Sequence, residues 1–117
     1  MRRSTIRAWR QCLRALREEL HPLLPVRVRL IARPSGHFGL TALSRDDGHF
    51  NVTLYRRVVD PTGLERSVTR QELIDSLVHE WAHSLSWPGV PDEMALERHD
   101  AVWGVNYARC YQTIYED

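Results

Sequence analysis

Residues 79–83 read His-Glu-Trp-Ala-His, the pattern H-E-x-x-H. On an α-helix, residues four apart lie on one face with about 6 Å of axial rise between them, so His79 and His83 could bind one ion. Imidazole nitrogens bind zinc at about 2.0–2.1 Å. Glu80 follows the first histidine and could take a proton from a water that the ion activates. The segment therefore predicts a hydrolytic metal site with two histidine ligands and a glutamate as general base.

The residues around this motif predict the helix that would carry it, over about 70–86. Thr69 is the expected N-cap, and Glu72 three residues later completes a capping box. Val68 and Leu73 stand at the two ends of a hydrophobic staple. The apolar residues that cover most of the helix are Leu73, Ile74, Leu77, Val78, Trp81, Ala82 and Leu85. A helix of this composition must be largely buried, where ionisable side chains need partners or a metal.

A third ligand is needed, because a catalytic zinc takes three protein ligands and keeps one position open. His99 is the candidate, on a second helix predicted over about 93–115 with Asp92 as its N-cap. The residues near one side of that helix are Leu96, His99, Trp103, Cys110 and Ile114. Glu97 and Asp100 remain as rivals. Glu97 would give a glutamate-ligand site, but it is two positions from His99 and so points to another face of the helix.

The motifs at 79–83 and 99–103 resemble those of the SprT-like zinc metallopeptidases. The second motif in that family is a histidine, often followed by glycine, with an aromatic residue four positions on. Here Asp100 stands where glycine is common, and Trp103 is the aromatic residue. The resemblance covers roughly residues 26–115. It implies a minimal zincin fold, one Zn²⁺ per chain held by the three histidines, and hydrolysis of peptide bonds in a protein or peptide substrate.

Length and composition predict one domain, residues 1–117, with 43% hydrophobic content and a net charge of +1. Cys12 and Cys110 are the only cysteines. They are expected to be buried thiols rather than a disulfide framework, and they are too few for the four-cysteine zinc ribbon that many SprT-like proteins carry. No apolar run is long enough to span a bilayer. We therefore expect a cytoplasmic protein with no membrane partner.

The chain reads as an α+β fold in the order helix, three strands, helix, helix. The first helix is predicted over about 4–20, and the strands over 26–31, 38–43 and 50–55. Residues 56–67 read as a connecting loop. In zincins an edge strand above the metal pairs with the extended substrate, and the resemblance suggests the strand at 50–55 for this role.

The first helix also carries a row of arginines beside its apolar stripe. These are Arg3, Arg7, Arg10, Arg14 and Arg17, and the chain has no lysine. A row of this kind is usually a solvated face. The functional alternative is a docking surface for an acidic partner or for a nucleic-acid backbone.

Two further roles in the predicted site are open at this stage. Tyr107, Tyr111 and Arg109 are candidates for stabilising the developing oxyanion. Asp75 and Asp100 are candidates for orienting the ligand imidazoles.

Two other functions are also open, a zinc-stabilised binding or adaptor module and a nucleic-acid-associated regulatory module with little or no proteolytic activity. An intact Glu80 favours the enzyme, because a purely structural metal site needs no base.

Overall fold

A computed structural model describes residues 1–44, 46–89 and 96–116. It contains, in chain order, α1 (Arg3–Glu19), β1 (Val26–Ile31), β2 (Gly39–Ser44), β3 (His49–Tyr55), β4 (Arg57–Val59), β5 (Glu65–Ser67), α2 (Arg70–Ser86) and α3 (Ala101–Tyr115). The predicted α+β class is confirmed, with three helices, a mixed three-stranded sheet and a two-stranded sheet in the described residues. No helix in this part of the chain is long and apolar enough to cross a membrane.

The main sheet has the order β1-β3-β2, with β1 parallel and β2 antiparallel to β3. The prediction that the third strand lies at the sheet edge is therefore wrong. Six of the seven β3 residues are buried, whereas β1 and β2 alternate between half-buried and exposed positions for most of their length. A strand that is apolar or buried on both faces fits the centre of a sheet, and alternating strands fit its edges.

Residues 56–67 are not the open loop predicted, because they include the antiparallel pair of β4 and β5. Asp60 closes the turn between them, since its carboxylate accepts from the backbone N–H groups of Thr62 and Leu64 at 2.9 and 3.0 Å. Gly63 has a φ of 88°, a conformation that glycine adopts without steric cost. The turn chemistry thus converts the segment into a hairpin.

The core joins α1, β3, α2 and α3. Trp9 and Leu16 of α1 and Leu54 of β3 are buried there beside Cys110 of α3. The indole N–H of Trp81 donates to the carbonyl oxygen of Leu20 at 3.1 Å, which attaches α2 to the end of α1.

The helix α2 begins as predicted, with a complete capping box. The Thr69 hydroxyl accepts from the Glu72 N–H at 3.2 Å, and the Glu72 carboxylate accepts from the Thr69 N–H at 3.0 Å.

The start of α3 differs from the prediction of a helix over 93–115. Its N-cap is Asp100, whose carboxylate accepts from the Trp103 N–H at 3.0 Å. Residues 96–100 are not α-helical, and the predicted cap Asp92 lies outside the described residues. His99 therefore lies on the segment that enters α3 rather than on the helix.

Candidate metal centre

Three histidines from two parts of the chain converge at one point. His79 and His83 lie one turn apart on α2, and His99 reaches them from the segment that precedes α3. Their Nε2 atoms are 3.2 Å apart for His79 and His83, 3.2 Å for His83 and His99, and 3.1 Å for His79 and His99. The three candidate ligands from the sequence are thus brought together.

Hydrogen bonding alone cannot account for this arrangement. A ring nitrogen either carries a proton and donates, or lacks one and accepts. Among three nitrogens at least two must share a role, so at least one of the three short contacts is unfavourable. Two nitrogens bound to one tetrahedral zinc at 2.0–2.1 Å lie about 3.3–3.4 Å apart. The spacing in the structure is close to that value, so the three histidines can hold a metal ion.

The electrostatics of the cluster favour neutral rings, which are the form that binds a metal. Burial, and then the neighbouring His79 and His99, lower the pKa of His83 to about 4. Burial, followed by His99, also lowers the pKa of His79. The Nδ1 atom of His83 is buried and has no hydrogen-bond partner among the described residues.

Glu80 is buried beside this cluster, with only 7% of its surface exposed. The Thr41 hydroxyl of β2 contacts its Oε1 at 2.8 Å and its backbone carbonyl oxygen at 3.2 Å. The other carboxylate oxygen, Oε2, is 4.0 Å from His79 Nε2. Burial raises the pKa of Glu80 to about 7, and the bond from Thr41 offsets part of that rise. One oxygen is thus held by the sheet while the other faces the histidines.

Trp103 covers the cluster from α3. Its ring centroid is 5.0 Å from that of His79, 5.5 Å from His83 and 4.7 Å from His99. Its indole nitrogen lies 3.4 Å from the backbone carbonyl oxygen of His79, a long hydrogen bond. The aromatic residue of the second motif therefore packs against all three imidazoles and restricts their orientation.

The rival ligands do not join the cluster. Glu97 is exposed, and Asp100 is engaged as the cap of α3. Asp75 accepts from the Tyr115 hydroxyl at 2.6 Å and from the Gln71 amide at 2.9 Å. Within the described residues neither aspartate bonds to a ligand histidine, so neither fills the orienting role that the sequence suggested for it.

A cleft of about 440 Å³ opens beside His79 and Glu80. One wall is the segment 36–39 that leads into β2, and the other is formed by α2 and Tyr107 of α3. Tyr107 is the one member of the three oxyanion candidates that lines this cleft.

The other two candidates lie elsewhere. The Arg109 guanidinium donates to the side-chain oxygen of Asn106 at 3.1 Å. Tyr111 is exposed and packs between the rings of Tyr107 and Tyr115.

Two participants were missed from the sequence alone. Thr41 is separated from Glu80 by 39 positions, and no local pattern connects them. Gly39, beside Thr41, allows close approach of β2 to Glu80. Both depend on how the sheet is ordered.

No protein-family model, curated protein or solved structure was found to match this chain.

Proposed function

We propose that this chain is a zinc-dependent metallopeptidase of the SprT-like kind, which hydrolyses peptide bonds with Glu80 as general base. The observation that carries the proposal is the convergence of three Nε2 atoms beside a buried glutamate whose second oxygen faces them. The resemblance of the motifs at 79–83 and 99–103 to that family supports the same reading.

The donor set favours zinc. Three imidazoles are the ligand set of catalytic zinc sites that keep a fourth position open for water or substrate. Cys12 lies on α1 and Cys110 is buried in the core, so neither thiol belongs to the cluster. When bound, zinc would activate a water and polarise the scissile carbonyl.

The contacts of Glu80 support its proposed role as general base. Thr41 holds Oε1, which leaves Oε2 to accept the proton of the attacking water on the side of His79. The same carboxyl group can then pass that proton to the leaving amine. Desolvation of the carboxylate makes it a stronger base than an exposed glutamate.

The edge strand β2 replaces β3 as the strand proposed to bind substrate. β2 pairs with β3 alone among the described strands, and the segment that leads into it lines the cleft with His79 and Glu80. An extended peptide could add to this edge through backbone hydrogen bonds, which require no particular sequence. Tyr107 is the residue proposed to face the developing oxyanion from the opposite wall.

The substitution Glu80→Gln tests the proposal, because glutamine keeps the shape of the side chain and can still accept from Thr41. We expect zinc-loaded wild type to cleave unfolded casein, and the variant to bind zinc equally while its rate falls by about 10²–10⁴-fold. Glu97→Gln, at an exposed position outside the cluster, should keep full activity. A zinc-loaded wild type that cleaves no unfolded protein would contradict the proposal and favour a metal-stabilised binding module.

A further inference from the structure

A groove of about 730 Å³ runs between α1 and β1, and the proposed peptidase site does not use it. Its floor is apolar and consists of Ile6, Trp9, Leu13, Val28 and Leu30. Its charged rim consists of Arg10, Arg14, Arg17 and Arg56, with Glu18 as the one acidic residue. We call this feature the α1–β1 groove.

The rim carries positive charge that the described part of the chain does not neutralise. Arg10 and Arg14 form no ion pair or side-chain hydrogen bond there, and Arg17 donates to the Val26 carbonyl oxygen at 3.2 Å. Because Arg10, Arg14 and Arg17 recur at intervals of four and three on α1, their side chains lie along one side of the helix. An occupant of the groove should therefore be negatively charged.

Two buried donors in the groove also lack acceptors. Trp9 is only 5% exposed, and its indole nitrogen has no hydrogen-bond partner among the described residues. The Nε atom of Arg56 is likewise buried without a partner. Both nitrogens are closed to solvent, so an occupant of the groove contacts the rim charges and the apolar floor rather than these two donors.

We propose that the α1–β1 groove docks an acidic peptide segment that also carries apolar side chains. Arginine guanidinium groups bind carboxylates through two parallel hydrogen bonds, which suits glutamate and aspartate side chains at the rim. Ile6, Leu13, Val28 and Leu30 are only half-buried, so apolar side chains of the segment could cover them. A phosphodiester backbone would meet the charge but would leave this floor uncovered, so a peptide fits both features.

Fluorescence anisotropy with two labelled peptide probes tests the proposal. One peptide has alternating Glu and Leu residues, and the other has Glu and Leu at helical spacing. Arg10→Glu/Arg14→Glu reverses two rim charges. Its matched control is Arg27→Glu/Arg29→Glu, which makes the same charge change at exposed β1 positions outside the groove. We expect at least one probe to bind wild type and the rim variant to bind it at least about tenfold more weakly. The control should stay within about twofold.

Thermal unfolding followed by circular dichroism establishes that each variant is folded. Equal weakening in the rim and control variants, or no binding of either probe, would overturn the proposal. A DNA duplex that binds more tightly than both peptides, and loses that binding in Arg10→Glu/Arg14→Glu, would instead assign the groove to nucleic acid.

Discussion

His99 is the residue on which the proposed zinc site depends, because His79 and His83 alone would give an ion only two protein ligands. We expect about one zinc per chain in wild type by elemental analysis. In His99→Ala the zinc affinity should fall by more than about 100-fold, because removing a ligand weakens zinc binding more than removing a residue that only orients a ligand. Glu97→Ala should keep its zinc. Zinc that is kept in His99→Ala but lost in Glu97→Ala would move the site to the glutamate-ligand class.

Gly39 permits the close approach of β2 to β3 and Glu80. A Cβ atom at this position would lie 2.6 Å from Leu54 Cδ2, 3.0 Å from the Thr53 carbonyl oxygen and 3.4 Å from Glu80 Cγ. Because the Leu54 side chain is fully buried, it has little room to move. We expect Gly39→Ala to lower the free energy of unfolding by about 1–3 kcal/mol in urea titrations.

Gly36→Ala is the control for Gly39→Ala, because a Cβ at Gly36 meets no atom within 4 Å and the backbone there does not have a positive φ. Its effect should stay within about 0.5 kcal/mol. Equal destabilisation in the two variants would contradict the steric explanation.

The start of α2 is stabilised by an ion pair as well as by its capping box. The Arg66 guanidinium donates to both carboxylate oxygens of Glu72 at 2.7 and 2.8 Å, and it also lies 6.0 Å from the centroid of the Phe38 ring. Hydrogen bonds from Arg66, and then from the Thr69 backbone and hydroxyl, lower the pKa of Glu72 from 4.5 to about 2, against an opposing effect of burial. Arg66 thereby connects Phe38, on the segment that lines the cleft, to α2, the helix that carries His79 and His83.

The direction of this pKa shift gives a pH prediction. Because the folded protein holds the Glu72 proton less tightly than the unfolded chain, the stabilisation is present above about pH 4.5 and is lost as the pH falls toward 2. Glu72→Gln can still form the capping box but loses the charge. Near pH 6 the free energy of unfolding of wild type should exceed that of Glu72→Gln by about 1 kcal/mol or less. This difference should shrink below pH 4. Chemical denaturation at several pH values measures it, with the exposed Glu19→Gln as control. A difference in free energy of unfolding that does not change with pH would contradict the stabilising role given to the Glu72 charge.

For the whole molecule, a metal at the cluster would join α2 to the segment that enters α3. The other connections between α2 and α3 include two hydrogen bonds. The Asn106 side-chain amide donates to the Ser86 hydroxyl at 3.0 Å, and the Tyr115 hydroxyl donates to the Asp75 carboxylate at 2.6 Å. A ligand that binds only the folded state stabilises it by about 2.7 kcal/mol at 100 times its Kd. Removal of zinc should therefore lower Tm by roughly 5–15 °C.

Thermal unfolding with and without a chelator measures this effect. His99→Ala should show little change in Tm on chelation, because it lacks a complete ligand set. An unchanged Tm in chelated wild type that had carried zinc would mean that the ion does not connect the two helices in the folded state.

The features that depend on neighbouring residues could be predicted from the sequence alone. The capping box at Thr69 and Glu72, the limits of α2 and the presence of two histidines on one face follow from hydrogen bonds and helical periodicity within a few positions. The strand Val26–Ile31 was predicted with its observed limits, because its alternation is local as well. His99 was identified as the third candidate ligand, although it lies before α3 rather than on it.

The contacts between distant segments could not be predicted in this way and depend on the packing of the whole fold. That packing placed β3 at the centre of the sheet and β2 at the edge beside the cleft, and it brought Thr41 to Glu80 and Trp103 to the three imidazoles. Strand order depends on which faces can be buried together, and many pairings satisfy the same local alternation. The helix and its two histidines were therefore readable from local periodicity, whereas the surroundings of Glu80 depend on non-local packing.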